Sequence, residues 1–185
     1  TDHHERIVSA DQFDAIDSIA AIFDEPFADA SALPTLRVCQ LAREHVTVAL
    51  SGDGADEAFA GYRRQMFHAR EEQARSVLPR TLRQPLFGSL GKVWPKADWA
   101  PRPLRAKSTL LALSAGGEAG YARALAILAP EQRKALYGDT MLRERGEYRA
   151  EQPFEETMRD APARSGLDRA QYADLKFWLP GDILT

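Results

Sequence analysis

Seven residues, Ser51-Gly52-Asp53-Gly54-Ala55-Asp56-Glu57, put a hydroxyl, two glycines and three carboxylates into about one turn of chain. They follow Val46-Thr47-Val48-Ala49-Leu50, a run that is mostly apolar and rich in β-branched residues. That run reads as a short buried strand of a parallel sheet. Ala55 to Tyr62 then starts a helix. Strand, glycine turn and helix start is a geometry in which an α/β protein holds a phosphate, because free backbone N–H groups and the helix dipole face the anion. Three acids beside a phosphate would repel it unless a cation lay between them. Mg²⁺, bridging carboxylate and phosphate oxygens, resolves the conflict. The same residues also make an ordinary helix start, since an acid in the first turn is stabilising by roughly 0.3–1 kcal/mol. On the residues alone both readings stand. The motif lacks the Gly-Lys-Ser/Thr of a Walker loop, the alternating acids of an EF-hand and the Gly-x-Ser-x-Gly of a nucleophile elbow.

The stretch Ser51–Glu57, with Phe59, Gly61 and Tyr62 after it, resembles the signature of the glutamine-hydrolysing asparagine synthetase family, in its synthetase domain. Asp24–Pro34 upstream and Asp174–Thr185 downstream resemble the same family in the same order, so the resemblance spans nearly the whole chain. Within the family it is most similar to bacterial amidotransferases associated with exopolysaccharide and exosortase gene clusters. The resemblance implies an α/β fold: a fragment of an adenine-nucleotide α-hydrolase-like (PP-loop ATPase) parallel-sheet domain. Residues 1–62 would form the α/β nucleotide-site part and residues 63–185 a mostly helical second half.

The resemblance also implies ATP and Mg²⁺, a small-molecule or sugar carboxylate as acceptor, and ammonia made from glutamine by an N-terminal glutaminase domain. That domain and the pyrophosphate loop would lie upstream of Thr1, so residues 1–185 alone are expected to be inactive. Ser51, Gly52 and Gly54 would give close backbone approach to the nucleotide. Asp56 would help hold Mg²⁺. Asp53 would orient or deprotonate the attacking nucleophile. Two departures bear on the acceptor and on that last role. Asparagine synthetases proper carry glutamate where this chain has Asp53. They also carry a longer segment before Pro34, with an arginine that grips aspartate, and no arginine lies between Asp24 and Pro34 here. The acceptor therefore stays open between aspartate and another carboxylate. Two rivals remain: a related adenylating enzyme, β-lactam-forming or tRNA-modifying, and a non-catalytic interaction domain that keeps the fold.

Several elements must position these residues. His3–Val8 reads as a second strand, its adjacent histidines on opposite faces and so a poor chelating pair. Ser9-Ala10-Asp11-Gln12 fits a capping box. The helix after it carries Phe13, Ile16, Ile19, Ala20 and Phe23 on one face and stops near Glu25-Pro26. Leu33 to Glu44 reads as a helix with Cys39 as a small buried hydrophobe on its apolar face. Arg63 to Leu78 continues helical. Pro79 to Pro103, with five prolines, reads as an irregular connector anchored by Trp94 and Trp99. Further helices are expected at 103–114, 118–128, 130–137 (with Gly138 as C-cap) and 153–161. A last helix begins at Asp168 and ends at Pro180-Gly181. Ser165-Gly166-Leu167-Asp168 has the look of a pyrophosphate loop, but it lacks the second glycine and a preceding strand, and reads as a helix cap.

At 185 residues and 44% apolar content the chain can bury a core without staples. The single cysteine excludes an intrachain disulfide and fits a reducing, cytoplasmic compartment. No run of eighteen apolar residues indicates a membrane span. The net charge of −3 hides an asymmetry: Arg63–Lys107 holds eleven Lys/Arg and three acids. A solvated helical surface accounts for that block more simply than a polyanion site, and no aromatic-plus-basic pattern marks a nucleic-acid reader. Composition says nothing of oligomeric state.

Overall fold

A computed structural model describes residues 3–5, 7, 16–23, 27, 29–95, 99, 101 and 106–184. They divide into two compact units. One is built from the residues up to Asp53 and from Gly181 onward, and the other from Gly54–Pro180.

In the first unit, α1 (Ile16–Ile22) packs on α2 (Ala32–His45). Asp29 Oδ1 accepts the Ser31 N–H at 2.6 Å just before α2. Pro34 falls in the first turn, where its missing N–H costs no helical bond. Arg43 and His45 close the helix at the end where the dipole favours cations. The His45 ring stacks on His4 at 3.7 Å, and His3 and His4 are exposed.

Residues 3–5, 7 and 46–50 form no strand, and the described residues contain none. Val48 is 76% and Leu50 97% exposed, so the expected burial of the run 46–50 is not met. A strand is stabilised by a ladder partner and covered faces, and no described segment supplies either. Cys39 is exposed as well, because α1 covers only part of the broad apolar face of α2. The Ser9–Gln12 cap, Phe13 and the stop at Glu25-Pro26 lie outside the described residues.

The second unit is helical: α3 (Ala55–Phe59), α4 (Arg63–Val77), α5 (Arg80–Val93), α6 (Lys107–Ser114), α7 (Gly117–Leu125), α8 (Pro130–Leu136), α9 (Asp139–Arg145), α10 (Gln152–Arg159) and α11 (Gly166–Ala173). A π-helix, Asp174–Ile183, continues directly from α11. Its core joins Tyr121, Met158, Ala170 and Ala173, with Leu125 and Phe154 packed against them.

The expected irregular connector is instead largely α5. Pro85 sits on its exposed side, together with Thr81, whose carbonyl the proline deprives of a donor. Gly91 is buried, and a Cβ there would meet Leu111 Cγ at 2.9 Å, so the glycine admits α6 rather than breaking α5. Trp99, expected to anchor packing, is 87% exposed. Gly138 is the N-cap of α9, not a C-cap, with φ −72°. The chain also runs through Pro180-Gly181 rather than ending there. The wider i→i+5 turn relieves the clash that a proline ring makes with the carbonyl four residues back.

The basic block is partly internal. Arg83 Nη1 donates to the carbonyls of Leu113 (2.6 Å) and Ala115 (2.7 Å), and Arg75 Nη2 to that of Ala112 (2.9 Å). Two guanidiniums thus satisfy the orphan carbonyls at the C-terminus of α6.

Candidate functional site

The glycine turn is exposed from Ser51 to Asp53, and so is Asp56. Ser51 Oγ donates to Asp53 Oδ2 at 2.7 Å, which orients the carboxylate of an exposed side chain. Gly54 opens α3 with φ +89°, a left-handed conformation that side-chain-bearing residues resist. Among the described residues nothing lies within 4 Å of where a Cβ on Gly52 would sit, so the backbone there leaves room for a ligand.

One turn of helix later the chain reverses. Ala60 is left-handed (φ 57°), and the Gly61 N–H reaches back to the Asp56 carbonyl at 2.9 Å, the longer bond of a Schellman closure. A Cβ on Gly61 would lie 2.8 Å from Asp56 Cγ. Gly61 therefore leaves room for the Asp56 carboxylate.

Glu57 has a different environment from its neighbours in the motif. It is 1% exposed and accepts a 2.6 Å hydrogen bond from the Tyr62 hydroxyl. Burial, reinforced by this carboxylate, pushes the Tyr62 phenol up to about 12. Gln171 Nε2 donates to the carbonyls of Glu57 (3.0 Å) and Ala58 (2.9 Å). Ser51, Gly52, Asp53 and Asp56 thus face solvent, and Glu57 is part of the packing.

A second polar cluster escaped the sequence reading. Asp174 is fully buried, and its Oδ2 accepts from Tyr121 Oη (2.7 Å), Gln65 Nε2 (2.8 Å) and Arg64 Nη2 (3.4 Å). The Arg64 guanidinium lies 3.7 Å from the Tyr62 ring centre and 4.5 Å from that of Trp178. Burial raises the Asp174 pKa, and the three donors oppose the shift. His68, 3% exposed and beside the Tyr121 ring at 4.9 Å, is pushed down to about 4 by burial. The available signal was that Arg64 lies two residues after Tyr62 and that Asp174 opens the downstream segment. Neither position has a periodicity that reveals burial.

Among the described residues no group of three His, Cys, Asp or Glu side chains converges to cage a metal. Mg²⁺ does not require such a cage: it takes one or two carboxylates and fills its octahedron with phosphate oxygens and water. An exposed Asp56 carboxylate, a hard oxygen donor, fits that habit.

In the first unit, a cavity of about 420 Å³ is lined by Ile19, Phe23, Phe27, Leu36, Asp53 and Asp182, among others, and among the described residues by no Lys, Arg or His. The Phe23 and Phe27 rings stack at 4.2 Å. No helix of the described residues is long and apolar enough to cross a membrane.

No solved structure matches the chain. Among curated proteins, a "Putative asparagine synthetase (glutamine-hydrolyzing)" of Mycobacterium bovis is 35% identical over 193 aligned positions, which cover 98% of this chain and 26% of that protein. The corresponding "2" protein of Methanocaldococcus jannaschii is 44% identical over 81 residues, 44% of this chain and 16% of that one. Asparagine synthetase (glutamine-hydrolyzing) 1 of Bacillus subtilis is 45% identical over 58 residues, 31% and 9% of the two chains. The chain thus spans about a quarter of the Mycobacterium relative, and less of the other two. The family model for asparagine synthase matches residues 1–185. The chain belongs to the asparagine synthase family, whose domain is of the PP-loop ATPase type.

Proposed function

We propose that the full-length protein is an ATP-dependent amidotransferase. One carboxylate oxygen of the acceptor attacks the α-phosphorus of ATP. The bond to the β-phosphate oxygen breaks, pyrophosphate leaves and an acyl-adenylate remains. Ammonia released from glutamine adds to the acyl carbon, AMP leaves with the bonding pair, the nitrogen loses a proton and an amide results. Positioning and neutralisation of phosphate charge do most of the catalytic work in such a reaction.

The reaction class rests on the family. The roles of residues rest on one observation: Asp53 and Asp56 are exposed on the turn, whereas Glu57 is buried. Ser51, Gly52 and Gly54 bring backbone close to the nucleotide. Asp56 contributes a carboxylate oxygen to Mg²⁺, which when bound screens the charge of the leaving pyrophosphate. Asp53, oriented by Ser51, accepts a proton from the attacking nitrogen. Val46–Leu50, with its exposed β-branched side chains, is a strand of the family's parallel sheet in the full-length protein.

Among the described residues the lining beside Asp53 holds no cation, and no arginine lies between Asp24 and Pro34, which together favour an acceptor other than aspartate, whose second carboxylate calls for a positive partner. The test is amide formation by the full-length protein with MgATP, glutamine and a panel of acids that includes aspartate and uronic-acid sugars. Turnover with acids other than aspartate is expected. Aspartate as the preferred acceptor would overturn the reading of the cavity. No adenylation of any acid, in a folded protein that also fails to bind MgATP, would overturn the enzyme.

A further inference from the structure

Asp56 and Glu57 sit on α3, and α3 is only five residues long. A single turn of helix does not hold its shape in water, because nucleation costs more than one turn returns. Its orientation must come from outside.

The clearest external support is Gln171. This residue is on α11, between the fully buried Ala170 and Ala173, so its backbone is fixed by the core. Its one amide nitrogen carries two hydrogens and makes two bonds, to the consecutive carbonyls of Glu57 and Ala58 at 3.0 and 2.9 Å. Both carbonyls belong to the last turn of α3, where no intrahelical donor follows.

α11 is itself pinned. Ser165 Oγ caps it by accepting the Asp168 N–H at 3.1 Å. A Cβ at Gly166 would lie 2.6 Å from Glu72 Cγ on α4. Three residues beyond Gln171, Asp174 takes the hydrogen bonds of Arg64 and Gln65 on α4 and of Tyr121 on α7. One continuous run of helix thus grips α3 at position 171 and α4 and α7 at position 174. Glu57, next to Asp56, adds the Tyr62 bond on the same side.

We propose that Gln171 is a positioning residue for Asp56. It holds the acidic helix α3 at a fixed angle to α11, so that Asp56 presents its carboxylate without searching for the geometry a bound cation needs. This inference rests on the reading of Asp56 as a Mg²⁺ ligand, and the experiment separates the two.

The full-length protein is prepared as wild type, Gln171→Met, Gln171→Lys, Gln171→Glu and Asp56→Asn. ATP binding is followed by calorimetry across a Mg²⁺ titration, and Mn²⁺ bound in the presence of ATP is followed by electron paramagnetic resonance. Methionine keeps length but donates nothing, lysine restores a donor, and glutamate presents an acceptor to two carbonyls. Gln171→Met is expected to raise the half-saturating Mg²⁺ concentration about tenfold, the scale two ordinary hydrogen bonds support. Gln171→Lys is expected to recover most of that loss, and Gln171→Glu to lose more. The apo melting point should move by no more than about 3 °C in Gln171→Met. A Mg²⁺ requirement unchanged in Gln171→Met overturns the proposal, whether or not the melting point falls. If Gln171→Met does not fold, equal Mg²⁺ requirements in Gln171→Lys and Gln171→Glu overturn it instead. A wild-type Mg²⁺ requirement in Asp56→Asn overturns the underlying reading of the site.

Discussion

Asp56 and Glu57 are neighbours on one short helix and have opposite surroundings. Asp56 faces water, and Gly61 leaves space for its carboxylate. Glu57 is 1% exposed and bound to Tyr62. The contrast repeats on a larger scale between the turn at Ser51–Asp53, whose side chains are exposed, and the cluster at Asp174, where three donors converge on one buried oxygen. An acid left in water keeps its charge at little cost and can exchange its shell for a cation. An acid buried among donors is committed to them, and removing it strands its partners. Residue type alone does not separate the two cases.

The largest effect that would sharpen this comparison is at Asp174. Asp174→Ala leaves Arg64, Gln65 and Tyr121 without their acceptor, and is expected to cost about 3–5 kcal/mol in urea unfolding. Asp53→Ala, at an exposed position, should cost less than about 0.5 kcal/mol. Equal losses would break the distinction.

Acid tests the same buried cluster. An unfolded histidine takes its proton near pH 6.5, and folded His68 resists until about 4. Between these values the unfolded chain binds more protons, so stability falls as pH drops through the window. The loss reaches on the order of 2–3 kcal/mol. Unfolding midpoints at pH 7 and 4.5 should differ clearly in wild type and by less in His68→Leu.

Gly61→Ala crowds the Asp56 carboxylate and should weaken Mg²⁺-dependent ATP binding about tenfold, or roughly 1.4 kcal/mol. Wild-type binding by that variant would mean that Asp56 does not need the space. The smallest effect is at Ala60, whose left-handed φ of 57° suits glycine better. Ala60→Gly should stabilise the protein by about 0.5–1 kcal/mol with activity unchanged.

Much of the helix content was legible because its signals are local. Apolar spacing marked α2, the run Arg63–Leu78 marked α4, and Ser165 caps α11 as the sequence indicated. What failed depended on neighbours. Pro85 and Gly91 read as breakers, yet one faces water and the other admits α6. Pro180 read as a stop because the wider turn around it leaves no mark in the sequence. Cys39 and Trp99 were expected to be covered, and they are exposed. The turn's residues were visible from their types. The division of labour between Asp56 and Glu57 was not, since it is set by Tyr62, Gln171 and Gly61 arriving from outside the motif or from its far edge.

The most direct test is pyrophosphate release by the full-length protein with MgATP, glutamine and a reactive acceptor, comparing Asp56→Asn with Glu57→Gln. If the exposed acid performs the chemistry and the buried one supports the fold, Asp56→Asn loses at least about a hundredfold in rate with an unchanged unfolding midpoint. Glu57→Gln, still able to accept the Tyr62 bond, keeps its rate within about tenfold and shifts the midpoint instead. Full turnover in Asp56→Asn, or the reverse ranking of the two variants, would contradict this division of roles.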